Sequence, residues 1–194
     1  MDASLRLGDN FQTVLEAARS GANWAWERIY DSLAPTLVGY LRARGAPDPE
    51  GVAGDVFAQL VRDIGRFEGD EPGFRSWVFV MAHHRLLDDL RRRRRRPEAA
   101  ADPESMSGVE DTVDVESSAI ESVTSAELRE LIDTLTPPQR EVILLRVFGG
   151  LKVEEVAAAV GRRPGAVKAL QRRGLETLRE KLIEREYPSD PSGR

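Results

Sequence analysis

An acidic segment in the middle of the chain constrains the fold more than any other feature. From Pro97 through Leu128 there are nine carboxylates, no lysine or arginine and no aromatic residue. Such a segment cannot bury enough apolar surface to offset the entropy that is lost when a chain becomes ordered. We therefore predict a first domain at residues 9–96, a flexible acidic linker at 97–123, a second domain at 124–186 and a short tail at 187–194.

The composition agrees with two small folded domains in a reducing compartment. Hydrophobic residues make up 41% of the 194 residues, which is enough to form cores. The chain has no cysteine, which excludes disulfide bonds and thiolate metal sites. The residues before Asn10 do not resemble a secretion signal, and no stretch approaches the roughly 20 apolar residues that span a bilayer. We expect a cytoplasmic protein without membrane insertion.

The charges are segregated along the chain. The net charge of −5 argues against a nucleic-acid partner if it is taken as an average, but Arg91 to Arg96 is an unbroken run of six arginines. DNA responds to the charges within a Debye length of about 10 Å. An acidic total therefore does not exclude DNA binding.

The spacing of apolar residues predicts an all-α fold. These residues recur every three or four positions, and no segment alternates for long enough to form a strand. Capping residues, prolines and glycines predict the helices of the first domain at Phe11–Ser20, Trp24–Leu33, Pro35–Gly45 and Asp48–Gly65, and from Phe74 through Leu90 into the arginine run.

The second domain contains a predicted helix-turn-helix. Helical periodicity resumes at Ser125, and Thr136-Pro-Pro-Gln139 is a capping box that opens a helix stopped by Gly149-Gly150. A short helix at Val153–Val160, a turn at Gly161 and a long helix from Pro164 to about Arg185 follow. In this arrangement the second helix enters the major groove of DNA.

The long helix carries a basic stretch. Five basic residues and no acidic residue lie between Arg162 and Arg173. Arginine and glutamine can read base edges, and lysine suits phosphates. We expect outward positions at Lys168, Gln171, Arg172 and Arg173, and core positions at Val167, Leu170, Gly174, Leu175 and Leu178. The alternative for any such stretch is an ordinary solvated helix face.

Aromatic residues precede the arginine run on one predicted helix. Phe74, Trp77 and Phe79 can stack on unpaired bases while the arginines follow the backbone, as in single-strand-binding surfaces. Burial is the alternative for Trp77, because it shares a helical face with Met81.

The two histidines, His83 and His84, make a poor metal site. Adjacent helical positions point about 100° apart, so the two rings do not converge on one ion. No catalytic triad, phosphate-binding loop or paired-carboxylate motif is recognisable elsewhere. We expect no enzymatic activity, no metal and no cofactor.

Two ordered sets of motifs resemble the extracytoplasmic-function (ECF) sigma factors, which are bacterial transcription-initiation factors of the sigma-70 family. Three segments resemble the second conserved region of this family, and they are Asp55-Val-Phe57, Phe74-Arg-Ser-Trp-Val78 and Met81-Ala-His-His-Arg-Leu-Leu-Asp-Asp-Leu-Arg-Arg92. Three further segments resemble the fourth conserved region, and they are Leu135-Thr-Pro-Pro-Gln-Arg-Glu-Val-Ile-Leu-Leu-Arg146, Gly150-Leu-Lys-Val-Glu-Glu-Val-Ala157 and Gly165-Ala-Val-Lys168. The resemblance covers nearly the whole chain except the linker and the tail.

The resemblance implies binding to core RNA polymerase, at the largest-subunit clamp and the flap, and promoter-specific initiation. The implied polymerase contacts are Asp48, Glu50, Asp55, Val56 and Gln59. The residues that the resemblance implies for melting the minus-ten element and reading its single strand are Arg75, Trp77, Met81, His83, His84, Arg85, Asp88, Arg91 and Arg92. The residues that it implies for reading the minus-thirty-five element as duplex are Arg162, Arg163, Gly165, Lys168, Ala169, Gln171, Arg172 and Arg173.

The resemblance also implies an anti-sigma partner, and it places the acidic linker in the RNA path of the polymerase. An inert spacer is the alternative for the linker. The sequence departs from the family at His84, where asparagine is common, at Gly51 and Gly54, and at Lys152, where a Ser or Thr cap is common. Two rival functions stay open: a dimeric helix-turn-helix regulator that acts without polymerase, and a hydrolase or metal protein that uses the two histidines.

Overall fold

The computed structural model describes residue 7 and residues 10–95 and 127–186, and the regular structure of these residues is entirely helical. The predicted linker and tail lie outside the described residues. The helices of the N-terminal unit, residues 10–95, are α1 (Phe11–Arg19), α2 (Asn23–Ala43), α3 (Pro49–Asp63) and α4 (Glu71–Arg95), with a 3₁₀ turn at Ile64–Arg66. Those of the C-terminal unit, residues 127–186, are α5 (127–133), α6 (Pro137–Val147), α7 (Val153–Ala159) and α8 (Pro164–Glu186).

Helix α2 corrects one prediction. The sequence predicts separate helices on either side of Pro35, but α2 runs unbroken through it. Proline removes one intrahelical hydrogen bond, to the carbonyl four residues earlier. That carbonyl belongs to Asp31, which is exposed, so water can satisfy it. Leu37 and Leu41 are fully buried on the other face, and this packing holds the helix together.

Helix α3 begins and packs as its sequence predicts. The Asp48 side chain accepts a hydrogen bond from the Gly51 backbone N–H at 2.8 Å, which caps the first turn. The stripe predicted from the spacing is buried and consists of Val52, Val56, Leu60 and Ile64. One face of α3 is therefore committed to the core.

Close approach of α6 and α8 shapes the C-terminal unit. A Cβ atom at Gly174 would overlap Cδ1 of Ile143 and lie 3.3 Å from Cβ of Gln139, so a larger residue would force side chains of α6 to shift. The predicted core position of Val167 is confirmed, since its side chain is fully buried. The prediction for Leu175 is wrong, because it is 49% exposed. Gly174 faces α6, and adjacent residues of a helix point about 100° apart, so the side chain of Leu175 points away from α6.

The caps and turns of the C-terminal unit agree with the predicted helix-turn-helix. Gln139 Oε1 accepts a hydrogen bond from the Thr136 backbone N–H at 2.9 Å, which is half of the predicted capping box. Gly161 has a φ of 65°, a left-handed conformation that favours glycine. It therefore reverses the chain between α7 and α8 at little steric cost.

The two units pack against each other. Helix α4 contacts α7, and α2 contacts α6. The buried cores join at this boundary, where the Tyr40 ring lies 5.4 Å from the Phe79 ring and 6.3 Å from the Phe148 ring. The contact places the C-terminal unit beside the predicted single-strand-binding helix.

Candidate nucleic-acid interface

The aromatic half of α4 faces inward. Phe74 and Phe79 are at most 1% exposed, and Met81 is 7% exposed. Trp77 is half-buried and stacks on Phe67, with 5.2 Å between ring centroids and 27° between ring planes. The inward positions of Phe74, Phe79 and Met81 are corrections, because core packing leaves their side chains no free surface for a base. Trp77 alone keeps a partly exposed ring.

His83 is also buried. Its side chain is 1% exposed, and its Nε2 lies 3.8 Å from the Glu141 carboxylate of the C-terminal unit. Burial, and then the positive charge of Arg44, lower the pKa of His83 to about 4, so the ring is neutral near pH 7. In this arrangement the His83 ring lies beneath the C-terminal unit, whereas the neighbouring His84 is exposed, and the base contact at His83 stays a prediction.

A cavity of about 380 Å³ lies between the two units. The α4 side of its wall contains His83, His84, Asp88 and Arg91, and the opposite side contains Glu141, Ala159 and Val160. The structure thus brings together four of the predicted minus-ten residues. All of them except His83 remain exposed.

The arginine end of α4 is exposed but partly neutralised. Arg91 pairs with Asp88 at 3.0 Å, and Arg93 pairs with Asp89 at 2.8 Å. Arg92 is exposed, and a second hollow of about 490 Å³ has Asp88, Arg91, Arg92 and Arg95 in its wall. This end of the helix offers several guanidinium groups to a phosphate backbone.

Two other predicted minus-ten residues make contacts within the protein. Arg85 Nε donates a hydrogen bond to Gln59 Oε1 at 2.9 Å, which ties α4 to α3. Arg75 Nε donates to the Phe148 carbonyl at 3.1 Å, and its guanidinium carbon lies 5.7 Å from the Phe79 ring centroid. Burial lowers the pKa of Arg75 from its ordinary value. Both side chains hold helices together in this arrangement.

The predicted docking helix keeps an exposed polar face. Asp55 is exposed, and Glu50 forms an exposed ion pair with Arg42 at 2.6 Å. The prediction for Val56 is corrected, because its side chain is fully buried in the stripe of α3. Gln59 is half-buried and engaged with Arg85. The available polymerase contacts are therefore fewer than the resemblance implies.

The basic face of α8 lies open to solvent. Its exposed residues are Arg162, Arg163, Gly165, Lys168, Arg172 and Arg173, while Ala169 and Gln171 are half-buried. Arg172 has a side chain 72% exposed, and its contact with Glu176 is a loose 3.4 Å pair. Nothing lies within 4 Å of a Cβ built at Gly165. The start of α8 can therefore be approached closely from outside.

Sequence reasoning missed a pair of charged residues between the units. Arg44 Nη2 and Glu141 Oε1 lie 3.1 Å apart, and their side chains are 9% and 18% exposed. Arg44 directly follows α2 and Glu141 lies on α6, so 97 positions separate them. No local signal could have paired them.

An all-helical chain with a basic helix-turn-helix and a second basic helix belongs to the class of DNA-binding proteins. Residues 29–96 match the family described as "Sigma-70 region 2", and residues 125–178 match "Sigma-70, region 4". With the relatives given next, these matches show that the chain belongs to the ECF RNA polymerase sigma factors of the sigma-70 family.

Curated relatives of the chain carry the name of this family. It is 31% identical over 184 residues to the ECF RNA polymerase sigma factor SigD of Mycobacterium tuberculosis, with 91% of this chain and 85% of the relative covered. It is also 31% identical over 167 residues to BldN of Streptomyces coelicolor, with 85% of this chain covered. The match spans only 63% of the length of BldN.

Solved structures show the same fold at lower identity. CnrH, in complex with the cytosolic domain of CnrY, superposes with a TM-score of 0.61 at 23% identity, with 90% of this chain and 98% of CnrH covered. RpoE of Bartonella quintana, in complex with the anti-sigma factor NepR, gives 0.57 at 20% identity, with 81% and 96% covered. Within the described ranges no helix is long and apolar enough to cross a membrane.

Proposed function

We propose that the chain binds core RNA polymerase and directs initiation by reading duplex DNA with α8 and melted DNA with α4. The observation that carries this proposal is the presence of two different basic surfaces in one sigma factor. One is the open face of α8, and the other is the arginine end of α4. Neither surface has a catalytic constellation beside it among the described residues, and the proposal assigns no catalytic residue.

Helix α8 is proposed to read the minus-thirty-five element. Gln171 and Arg172 supply groups that pair with base edges, and Lys168 and Arg173 supply charges for phosphates. The open space at Gly165 lets the start of the helix approach the DNA backbone. Arg162 and Arg163 lie directly before the start of this helix.

The arginine end of α4 is proposed to hold the melted minus-ten strand. Arg91 and Arg92 contact phosphates, and His84 and Asp88 stand where an extruded base can be bound. Extrusion costs a few kcal/mol, so a pocket for the free base favours the melted state. Met81 and His83 are buried on the inner side of this helix and support its packing.

The exposed face of α3 is proposed to dock on the polymerase clamp. We expect Asp55→Ala to weaken core binding about fivefold to tenfold, the effect of roughly 1 kcal/mol that an exposed polar contact contributes. The measurement is the Kd for labelled chain and purified core polymerase. Asp31→Ala is the control, because Asp31 is an exposed acidic residue on α2. Equal affinities of the two variants would show that the docking face lies elsewhere.

Transcription in vitro tests the whole proposal. Core polymerase, the purified chain and a genomic DNA library should yield transcripts whose start sites share two upstream elements. Core polymerase alone should not produce these starts. A chain that binds duplex DNA as a dimer but neither joins the polymerase nor changes its start sites would support the helix-turn-helix regulator instead.

An anti-sigma partner remains part of the proposal. Two proteins with this fold have been solved in complexes, RpoE with the anti-sigma factor NepR and CnrH with the cytosolic domain of CnrY, and Val147 of this chain is 70% exposed on the C-terminal unit. A partner recovered from the native cells should inhibit transcription when it is added, purified, to the reconstituted polymerase complex. Its failure to inhibit would remove it from this role.

A further inference from the structure

A series of polar side chains joins α4 to α3. Arg85 Nε on α4 donates a hydrogen bond to Gln59 Oε1 on α3 at 2.9 Å. Gln59 Nε2 donates in turn to Asp63 Oδ2 at 3.3 Å, and Arg66 Nη1 donates to the other carboxylate oxygen of Asp63 at 3.3 Å. Because the oxygen of an amide accepts and its nitrogen donates, these two neighbours fix the direction in which the Gln59 amide points. Both ends of that amide are engaged within the protein.

The outer end of the Arg85 guanidinium points away from this series. Its two Nη groups make no hydrogen bond within residues 10–95 and 127–186, and they are not buried. The carboxylates of Asp88 and Asp89, one turn further along α4, pair with arginines that follow them. A guanidinium is planar, so a hydrogen bond that holds Nε also sets the direction of the two Nη groups. Arg85 therefore presents a pair of oriented donors of the kind that binds a phosphate.

Arg85 shares a face of α4 with the arginine end. It precedes Arg92 by seven positions, which is close to two turns of an α-helix, so the two side chains point in nearly the same direction. They are separated by about 10 Å along the helix axis. Arg92 is exposed and lies in the wall of the second hollow. A strand whose phosphates contact Arg92 can therefore continue along α4 to Arg85.

We propose that Gln59 is a positioning residue for DNA, which holds the Arg85 guanidinium so that Arg85 binds one backbone phosphate of the melted minus-ten strand. The inference rests on the proposed function, because α4 must first hold that strand. It changes the role of Gln59, which the resemblance places among the polymerase contacts. Gln59 acts on DNA through its neighbour and does not contact the polymerase.

Neutralising single phosphates tests this assignment. The probe is a fork-junction DNA that contains a promoter mapped by the transcription experiment, with its minus-ten non-template strand unpaired. An uncharged methylphosphonate replaces one phosphate at a time, and binding is measured for the complex of the chain with core polymerase. We expect one linkage at which this replacement weakens binding of the wild type about tenfold. The same replacement should leave binding of Arg85→Met unchanged.

Gln59→Met removes the amide and keeps the length of the side chain. At the linkage that depends on Arg85, we expect the penalty for the uncharged group to fall to about threefold, because the guanidinium is no longer held in one orientation. A purely structural role of Gln59 would weaken binding of all probes equally and leave this penalty unchanged. Gln12→Met is the matched control, since the Gln12 side chain on α1 also donates a hydrogen bond to another element, to the Gly69 carbonyl at 3.0 Å. It should keep the full penalty.

An exchange of amide and carboxylate provides the rescue. Gln59→Glu combined with Asp63→Asn keeps an acceptor for Arg85 and the net charge of the chain, so the full penalty should return. The proposal is overturned if no linkage depends on Arg85, if Gln59→Met keeps the full penalty, or if the double variant does not restore it. Weaker binding of Gln59→Met to core polymerase would also overturn it, because Gln59 would then be a polymerase contact. A wild-type complex that binds none of the unpaired probes would instead refute the proposed function.

Discussion

Helices α4 and α8 carry similar basic residues in different surroundings. On α8, Arg172 and Arg173 face solvent, and Arg172 makes only a loose 3.4 Å pair with a carboxylate of the same helix. On α4, Arg91 and Arg93 pair more closely with carboxylates of the same helix, at 3.0 and 2.8 Å. His83, earlier on α4, is buried against the C-terminal unit. Residue type therefore indicates the ligand, but packing decides which side chains are free to bind it.

Removing one partner of the buried ion pair should have the largest effect on this difference. Glu141→Ala leaves Arg44 without its carboxylate, and breaking a buried pair costs about 3 kcal/mol. We expect this loss to appear as a lower free energy of unfolding, measured by chemical denaturation.

A double variant provides the control for this prediction. Arg44→Met combined with Glu141→Leu replaces the pair by apolar groups of similar size, a change that is often neutral. We expect it to restore most of the free energy of unfolding. If the double variant were as unstable as Glu141→Ala, the ion pair would not be what stabilises the boundary.

The sequence predicted the contents of each helix better than the contacts between them. The stripe of α3 and the turn at Gly161 follow from local spacing and backbone preference, and both were confirmed. Leu175 was placed wrongly because its orientation depends on the close approach of α6 at Gly174, which periodicity does not report. His83 was placed on the DNA surface because its cover, Glu141, comes from a distant part of the chain. Local sequence patterns predicted the helices and turns, whereas only the contacts between helices show which basic side chains are exposed.

Arg172→Ala should have the next largest effect, on the open side of the comparison. Loss of a base-reading arginine costs about 1–3 kcal/mol and relaxes specificity at one position, whereas loss of a phosphate contact such as Lys168 weakens binding evenly and lowers the salt slope by about 1. The measurement is binding of the polymerase complex to promoter duplexes at several salt concentrations. Lys181→Ala is the control, because Lys181 lies further along α8 and pairs with Glu184 at 2.6 Å. An equal loss in Arg172→Ala and Lys181→Ala would contradict base reading at this position.

The smallest expected effect is a pH dependence that arises on the covered side. In the folded chain the pKa of His83 lies at about 4, below its ordinary value of 6.5. The unfolded chain therefore binds the proton more readily, so the stability from neutral His83 is complete above pH 6.5 and is lost as the pH falls toward 4. The charged and titratable groups around the ring are Arg44, His84 and Arg91, which lower this pKa, and Glu141, which lies across the boundary.

Chemical denaturation at pH 7.5 and pH 5.5 measures this effect. We expect the wild type to lose about 1 kcal/mol of unfolding free energy through His83 over this interval. His83→Gln should lose correspondingly less, and His84→Gln should behave as the wild type, because His84 is exposed. An equal loss in His83→Gln and in the wild type would show that the pH response arises elsewhere, and the contrast between a buried His83 on α4 and an open face of α8 would not extend to stability.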